Sequence, residues 1–118
     1  MKTNIIIYAI LFLMLPVNLF AQEKQKKVKT SEFEVQGLCG MCKERIENAA
    51  LIKGVKLAEW NRETGMLKVV YKPQKVEFLD IHKSVANAGH ETSKVKANMK
   101  AYNNLPSCCK YKDGLEKH

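Results

Sequence analysis

The chain has 118 residues, a formal net charge of +8 and four cysteines. This length allows one small domain with one modest core. Because the lysines are scattered apart from a cluster within residues 22–31, we expect neither a nucleic-acid-binding surface nor a stable membrane contact. The sequence contains no Ser-His-Asp set, paired acidic cluster or phosphate-binding glycine loop, so we do not predict an enzyme.

Residues 1–21 have the pattern of a secretory signal peptide. Lys2 gives a short positive start, Ile5 to Leu15 is apolar, and Ala21 is a small residue suited to cleavage. The apolar run is too short for a retained membrane anchor. We therefore predict export, to the periplasm or a similar compartment. Cleavage would remove one lysine, so the charge of +8 would fall to +7.

The following segments alternate between strand-like and helix-like patterns. Residues 22–31 are polar and lysine-rich, which predicts a flexible leader. Glycines occur at the predicted helix ends and in one predicted hairpin bend. Strands are predicted over about 32–38, 55–61, 66–71 and 92–97, and helices over about 42–52 and 76–88.

This order predicts an α+β protein with a ferredoxin-like βαββαβ sandwich over residues 32–97. Two helices would cover one face of a four-stranded antiparallel sheet. Trp60 is expected in the core, whereas His82 is expected on the polar side of the second helix. Residues 98–118 form a C-terminal extension, apolar enough that we expect it to pack back on the domain.

Cys39 and Cys42 fall on the turn from the first strand into the first helix. A helix N-terminus stabilises a thiolate, and the nearby Lys43 adds positive charge. Two soft thiolates on one loop can bind a soft metal ion or form a disulfide, and the spacing alone leaves both open. Met41 lies between the cysteines and is expected to be an exposed side chain that does not bind metal.

Three further residues are candidates for a role at the same site. Cys108 and Cys109 are adjacent, which favours a site over a disulfide scaffold. They would either complete a site of three or four thiolates with Cys39 and Cys42, or supply a disulfide partner that holds the tail. His90 follows a helix-ending glycine and would be either a third ligand or a solvated side chain.

Residues 32–97 resemble a heavy-metal-associated (HMA) domain, the module of copper chaperones, metal-pumping ATPases and the periplasmic mercury scavenger. The resemblance rests on the βαββαβ order, the Cys39-x-x-Cys42 loop, Gly54-Val55 and the Ala88–Glu91 loop. The chain is most similar to an exported bacterial subgroup with a Leu-Pro-x-Cys-Cys-Lys-Tyr tail. Most HMA domains have two residues where this chain has only Leu38.

The resemblance implies that Cys39 and Cys42 are metal ligands in a nearly linear Cu(I) site open to solvent. His90 would lie in the loop beside it. Cu(I) is satisfied by two or three ligands, whereas Zn(II) normally takes four. Hg(II) and Zn(II) are the alternative cargoes to copper. The expected partner is a metal-efflux or metal-acceptor protein that receives the ion by ligand exchange, and the chain would be a monomer or a metal-bridged dimer.

Two other classes stay open at this point. An exported thiol-disulfide oxidoreductase would use Cys39 as its nucleophile. Thioredoxin-type proteins usually have tryptophan before the first cysteine, where this chain has Leu38. A structural domain held by two disulfides would have neither free thiols nor a metal site.

Overall fold

The computed structural model describes residues 27–113, and the predicted signal peptide lies outside this range. Among the described residues, no helix is long and apolar enough to cross a membrane. The main elements are β1 (Lys29–Glu34), α1 (Gly40–Ala50), β2 (Val55–Trp60), β3 (Met66–Tyr71), α2 (Phe78–Asn87) and α3 (Met99–Asn103). Two single 3-10 turns, Ser107–Cys109 and Tyr111–Asp113, follow α3.

The three strands form an antiparallel sheet in the order β1-β3-β2. The β1–β3 register runs from Lys29 opposite Tyr71 to Glu34 opposite Met66. The β2–β3 hairpin bends at Gly65, whose φ of 75° favours a residue without a Cβ. The predicted α+β arrangement of helices with an antiparallel sheet is confirmed, as is the predicted hairpin.

The predicted fourth strand over 92–97 is absent from the described sheet. Only a single bridge between Val35 and Thr92 remains. The Thr92 hydroxyl accepts hydrogen bonds from the backbone N–H groups of Lys94 at 3.2 Å and Val95 at 3.0 Å. Such a turn replaces the inter-strand hydrogen bonds, so the backbone leaves β1 after one residue pair.

Several element boundaries differ from the sequence prediction, among them the starts of β1 and α1. β1 begins at Lys29 rather than at residue 32, because the end of the predicted leader pairs with β3. Helix α1 begins at Gly40, about two residues before its predicted start. Cys42 therefore lies inside the first turn of α1, where its side chain faces the core.

One face of the sheet packs against α1 and α2 to form the core. Alternate residues of the strands face the helices, as period-two patterning requires. The buried core includes Phe33, Val35, Ala58, Trp60, Leu67, Val69 and Tyr71 from the sheet side, and Cys42, Ile46, Ala50, Ile81 and Val85 from the helices.

Trp60 shapes the end of the sheet where the cysteine loop begins. Its indole Nε1–H is shared between the carbonyl oxygens of Val35 and Gly65, each at 3.1 Å. The indole ring lies against Gly37. A Cβ built on Gly37 would lie 2.9 Å from the Trp60 ring and 3.0 Å from Ile46 Cδ1. The loop can pass this close to the ring only because residue 37 has no side chain.

We predict that Gly37→Ala lowers the free energy of unfolding by about 1–3 kcal/mol, the usual cost of overpacking a core. Gly40→Ala is the matched control, since the nearest described atom to its built Cβ is Arg62 Nη1 at 3.8 Å. The control should stay within about 0.5 kcal/mol of wild type. Urea unfolding of the reduced, metal-free protein measures both, and equal stability of the two variants would contradict the packing argument.

His82 is buried in the core and not solvated, which corrects the sequence prediction. It lies on the same face of α2 as Phe78, Ile81 and Val85, where residues three or four apart align. Its ring stacks on Phe33 with centroids 3.8 Å apart. The burial of His82 therefore follows from its position on the apolar face of the helix and not from the polarity of its side chain.

Burial keeps the His82 ring neutral, and Thr92 supplies its hydrogen bond. Nδ1 lies 2.7 Å from Thr92 Oγ1, a hydroxyl that already accepts two backbone N–H groups and so donates its own hydrogen to Nδ1. Burial, with a smaller contribution from the positive charge of Lys94, lowers the pKa of His82 to about 4.

We predict that stability falls as the pH drops from about 6.5 towards 4. In this window His82 is protonated in the unfolded chain but neutral in the folded protein, so acid favours unfolding. His82→Phe keeps an aromatic ring beside Phe33 but cannot titrate. Its free energy of unfolding should therefore change less between pH 7 and pH 5 than that of wild type. An equal change in both proteins would refute the assignment.

Candidate metal centre

The β1–α1 loop holds Cys39 and Cys42 on one side of a helix start. Cys39 is the residue before α1 and has extended backbone angles, with φ −137° and ψ 179°. Its carbonyl accepts the first helical hydrogen bond from Lys43 N–H at 3.0 Å. Farther along α1, the Glu47 carboxylate accepts a 2.9 Å hydrogen bond from Trp60 N–H, which fixes the helix against β2.

The described part of the C-terminal extension, residues 98–113, packs back on the domain, as expected, and brings two more thiols to this loop. After Pro106 the chain makes a 3-10 turn in which Cys109 N–H donates to the Pro106 carbonyl at 2.8 Å. The turn points Cys109 inwards, where it is fully buried, and leaves Cys108 half-buried. Tyr102 and Leu105 are also buried in the core and hold this part of the tail in place.

All four cysteines are free thiols, and their sulfurs form one cluster. Cys39 Sγ lies at its centre, 3.5 Å from Cys42 Sγ and 3.7 Å from the sulfurs of Cys108 and Cys109. The Cys108 and Cys109 sulfurs are 3.9 Å apart. The tail and the loop, separated by most of the domain in sequence, therefore meet at a single sulfur atom.

The sulfurs of Cys39, Cys108 and Cys109 all lie within 4.8 Å of one another, a spacing that fits a metal ion with three thiolate ligands. With metal–sulfur bonds of about 2.3 Å, tetrahedral ligands lie roughly 3.8 Å apart and linear ligands roughly 4.6 Å apart. The distances from Cys39 are 3.5–3.7 Å, nearer to the tetrahedral value. Cys39 is 6% exposed and Cys42 is 0% exposed. The expectation of a solvent-open site is therefore wrong, because the tail lies over the loop.

The thiols differ strongly in acidity. Burial alone would raise the pKa of Cys39, but the backbone amide of Cys42 and the neighbouring thiols outweigh burial and lower it to about 7. Burial and hydrogen bonding with Cys42 and Cys39 raise the pKa of Cys109 well above its usual range. Hydrogen bonding with Cys39 also raises the pKa of Cys108. Without metal, the cluster therefore holds a thiolate at Cys39 beside the protonated thiols of Cys108 and Cys109.

His90 is buried, but the structure does not bring it into the cluster. Its Nδ1–H donates to the Gln36 carbonyl at 2.8 Å, and Nε2 has no hydrogen-bond partner in the described part of the chain. Among residues 27–113, the set of possible ligand atoms within 4.8 Å of one another consists of Cys39, Cys108 and Cys109. The solvated alternative for His90 is therefore wrong, and direct ligation has no geometric support.

Tyr111 anchors the tail beside His90, a role that sequence reasoning missed. Its hydroxyl donates to the Gly89 carbonyl at 2.7 Å and accepts from Glu91 N–H at 3.0 Å. The Tyr111 and His90 rings stack with centroids 5.7 Å apart. Lys112 adds an ion pair with Glu91 at 3.1 Å. An aromatic residue two positions after the paired cysteines was the only sequence signal for this contact.

Neither a protein-family model nor a curated protein matches the chain. Among solved structures, it is similar to one described as the CopZ metallochaperone, with 30% sequence identity and a TM-score of 0.52. The similarity covers 98% of that chain and 54% of this one. The chain belongs to the heavy-metal-associated domain family.

Two other HMA-type structures are similar to this chain. Oxidised MerP from Ralstonia metallidurans CH34 is 25% identical, with a TM-score of 0.53 over 94% of that chain and 56% of this one. The N-terminal domain of a potential copper-translocating P-type ATPase from Bacillus subtilis, in its Cu(I)-loaded state, is 28% identical. Its TM-score is 0.52 over 84% of that chain and 55% of this one. The predicted resemblance to copper chaperones and to the mercury scavenger is confirmed.

We predict that the Cys39 thiolate titrates near pH 7 in the reduced, metal-free HMA domain. The difference in thiolate absorbance between wild type and Cys39→Ala reports this midpoint. Cys108→Ala/Cys109→Ala removes two neighbouring thiols that lower the pKa, so the midpoint should rise. A wild-type midpoint at the ordinary cysteine value of about 8.5 would contradict the prediction.

Proposed function

We propose that this domain binds Cu(I) as its cargo through Cys39 and Cys42, and holds the ion for sequestration or transfer. The observation that carries the proposal is the convergence of free thiols on Cys39 Sγ at 3.5–3.7 Å. Thiolates are soft ligands that select soft ions. The similarity to a metallochaperone and to a Cu(I)-loaded ATPase domain supports the same cargo.

Cys108 and Cys109 are proposed to close the site. Their sulfurs each lie 3.7 Å from Cys39 Sγ, so the tail can supply a further ligand to an ion that Cys39 binds. A three-thiolate site satisfies Cu(I) and lets the fourth thiol keep its proton. Zn(II) normally takes four ligands, which would require the thiolate of Cys109 as well. Among the described residues, however, only three ligand atoms lie within 4.8 Å of one another, those of Cys39, Cys108 and Cys109.

Hg(II) is the weaker alternative cargo. MerP is among the similar structures, and two thiolates suit a linear ion. In the metal-free protein, however, the Cys39 and Cys42 sulfurs are 3.5 Å apart, well below the roughly 4.6 Å of a linear pair. Linear binding would therefore need the loop to open, whereas a three-coordinate ion needs only small shifts.

We further propose that the protein is exported and acts in the periplasm. The support is the signal-peptide pattern of residues 1–21, which lie outside the described part of the chain. Its partner would be a metal-efflux or metal-acceptor protein with soft ligands. Transfer would proceed by ligand exchange, in which the ion is briefly shared between ligands of both proteins.

A thiol-disulfide oxidoreductase is the second candidate, and one observation favours it. The pKa of Cys39 is lowered to about 7, and Cys42 Sγ is only 3.5 Å away. Such a pair suits a nucleophile and a resolving cysteine. However, Cys39 is only 6% exposed, so a protein disulfide could reach it only after the tail had moved. Metal binding needs no such opening at equilibrium.

We predict that the reduced protein competes with a strong Cu(I) chelator under anaerobic conditions. Cys39→Ser/Cys42→Ser should abolish this competition, because both loop ligands are lost. Cys108→Ser/Cys109→Ser should lower the affinity by about tenfold or more, because the tail thiols then no longer complete the site.

The same titration with Zn(II) present tests the choice of metal, and Zn(II) should not displace Cu(I). If the reduced wild type cannot compete with the chelator, the copper proposal is wrong. Turnover of a disulfide substrate by that same metal-free protein would then support the oxidoreductase.

A further inference from the structure

Met41 places a sulfur atom at the surface next to the thiol cluster. Its side chain is 53% exposed, which agrees with the sequence expectation. The sequence expectation that Met41 does not bind metal was made without knowing that Cys108 lies beside it. Met41 Sδ lies 3.7 Å from Cys108 Sγ, across the junction between α1 and the tail. Two soft ligand atoms from different parts of the chain therefore meet at the edge of the cluster.

These sulfurs form a continuous series from solvent to the buried site. Met41 Sδ is 3.7 Å from Cys108 Sγ, which is 3.7 Å from Cys39 Sγ, which is 3.5 Å from Cys42 Sγ. Exposure falls along the series, from 53% at Met41 through half-buried Cys108 to 6% at Cys39 and 0% at Cys42.

Each step in this series is short enough for one ion to bind both sulfurs at once. Two metal–sulfur bonds of about 2.3 Å can span at most roughly 4.6 Å, and every step is shorter than that. An ion could therefore move inwards by exchanging one ligand at a time. It would never need to leave all protein ligands and cross the tail as a free ion.

The chemistry of Met41 suits the outermost position. A thioether is a soft ligand that binds Cu(I) without losing a proton, so capture by Met41 requires no thiol to ionise. It also holds the ion more weakly than a thiolate because it carries no charge. Weak capture at the surface and strong binding at Cys39 together give the direction of the exchange.

We propose that Met41 and Cys108 form the uptake site through which a soft monovalent metal ion reaches the buried thiols. This inference rests on the proposed copper function. Met41 Sδ donates a lone pair to the ion as the ligand of the delivering chelator leaves. Cys108 then binds through Sγ and releases its proton to water. The Cys39 thiolate finally replaces Met41. No atom is oxidised or reduced.

The rate of Cu(I) loading, separated from the affinity, tests this role. The reduced protein is mixed with a coloured Cu(I)–chelator complex in a stopped-flow instrument, and the equilibrium affinity is measured in the same buffer. Met41→Leu should slow loading by about tenfold, equivalent to a barrier about 1.4 kcal/mol higher. Its affinity should stay within about twofold of wild type, because Met41 does not bind the ion in the final state.

Met99→Leu is the matched control. Met99 is 50% exposed but belongs to α3 and not to the cysteine loop, so this variant should load at the wild-type rate. Cys108→Ala should also slow loading. Adding Met41→Leu to it should cause little further loss, because both changes affect the same step.

A second measurement observes the methionine directly. In Cys39→Ser/Cys42→Ser, Ag(I) added to protein labelled with ¹³C in the methionine methyl groups should shift the Met41 signal and leave the Met99 signal in place. Equal loading rates for wild type and Met41→Leu, or equal shifts of both signals, would overturn the uptake site. If wild type loads tightly but Met41→Leu is unchanged, only this inference fails. If wild type takes up no Cu(I), the proposed function fails with it.

Discussion

Four thiols in contact cannot all ionise in a buried site, and this constraint governs the region around the cysteine loop. Neighbouring sulfurs of the cluster lie 3.5–3.9 Å apart, so each additional thiolate would repel the first across a poorly hydrated space. The metal-free protein avoids this by holding a thiolate at Cys39, whose pKa is about 7, and keeping protons on Cys108 and Cys109. A soft cation replaces those protons and removes the repulsion. Metal binding should therefore release protons and be stronger at higher pH.

Docking of the tail and metal binding are linked for the same reason. The tail is held by Tyr111 on the 89–91 loop and by Tyr102 and Leu105 in the core, so Cys109 reaches the cluster only when these contacts are made. If an ion binds thiolates from both the loop and the tail, it stabilises the docked tail. By thermodynamic reciprocity, the docked tail raises the affinity for the ion by the same free energy.

Local patterns predicted the parts of this structure whose cause is local. β3 was predicted over Met66–Tyr71, because its alternation faces a core on one side. The start of β1 at Lys29 depends on pairing with β3. A lysine-rich segment gives no local signal for such pairing, so this start was not predicted. The prediction of a fourth strand was wrong because the Thr92 hydroxyl accepts hydrogen bonds from two backbone N–H groups, which form a turn. The sequence made Cys108 a candidate for the site in the cysteine loop. It could not predict the distance between the two, because residues far apart in sequence can lie at any distance in the fold.

The sulfurs that a partner protein can reach differ from those that hold the metal ion most deeply. Cys42 and Cys109 are 0% exposed, so a ligand from another protein cannot reach them while the tail is docked. Exchange with a partner must then begin at Met41 or Cys108, the two most exposed residues of the sulfur series, or wait for the tail to leave. In the first case the partner needs only a small soft ligand that reaches the edge of α1. In the second, the rate of release would equal the rate of tail opening and would not depend on the concentration of the partner.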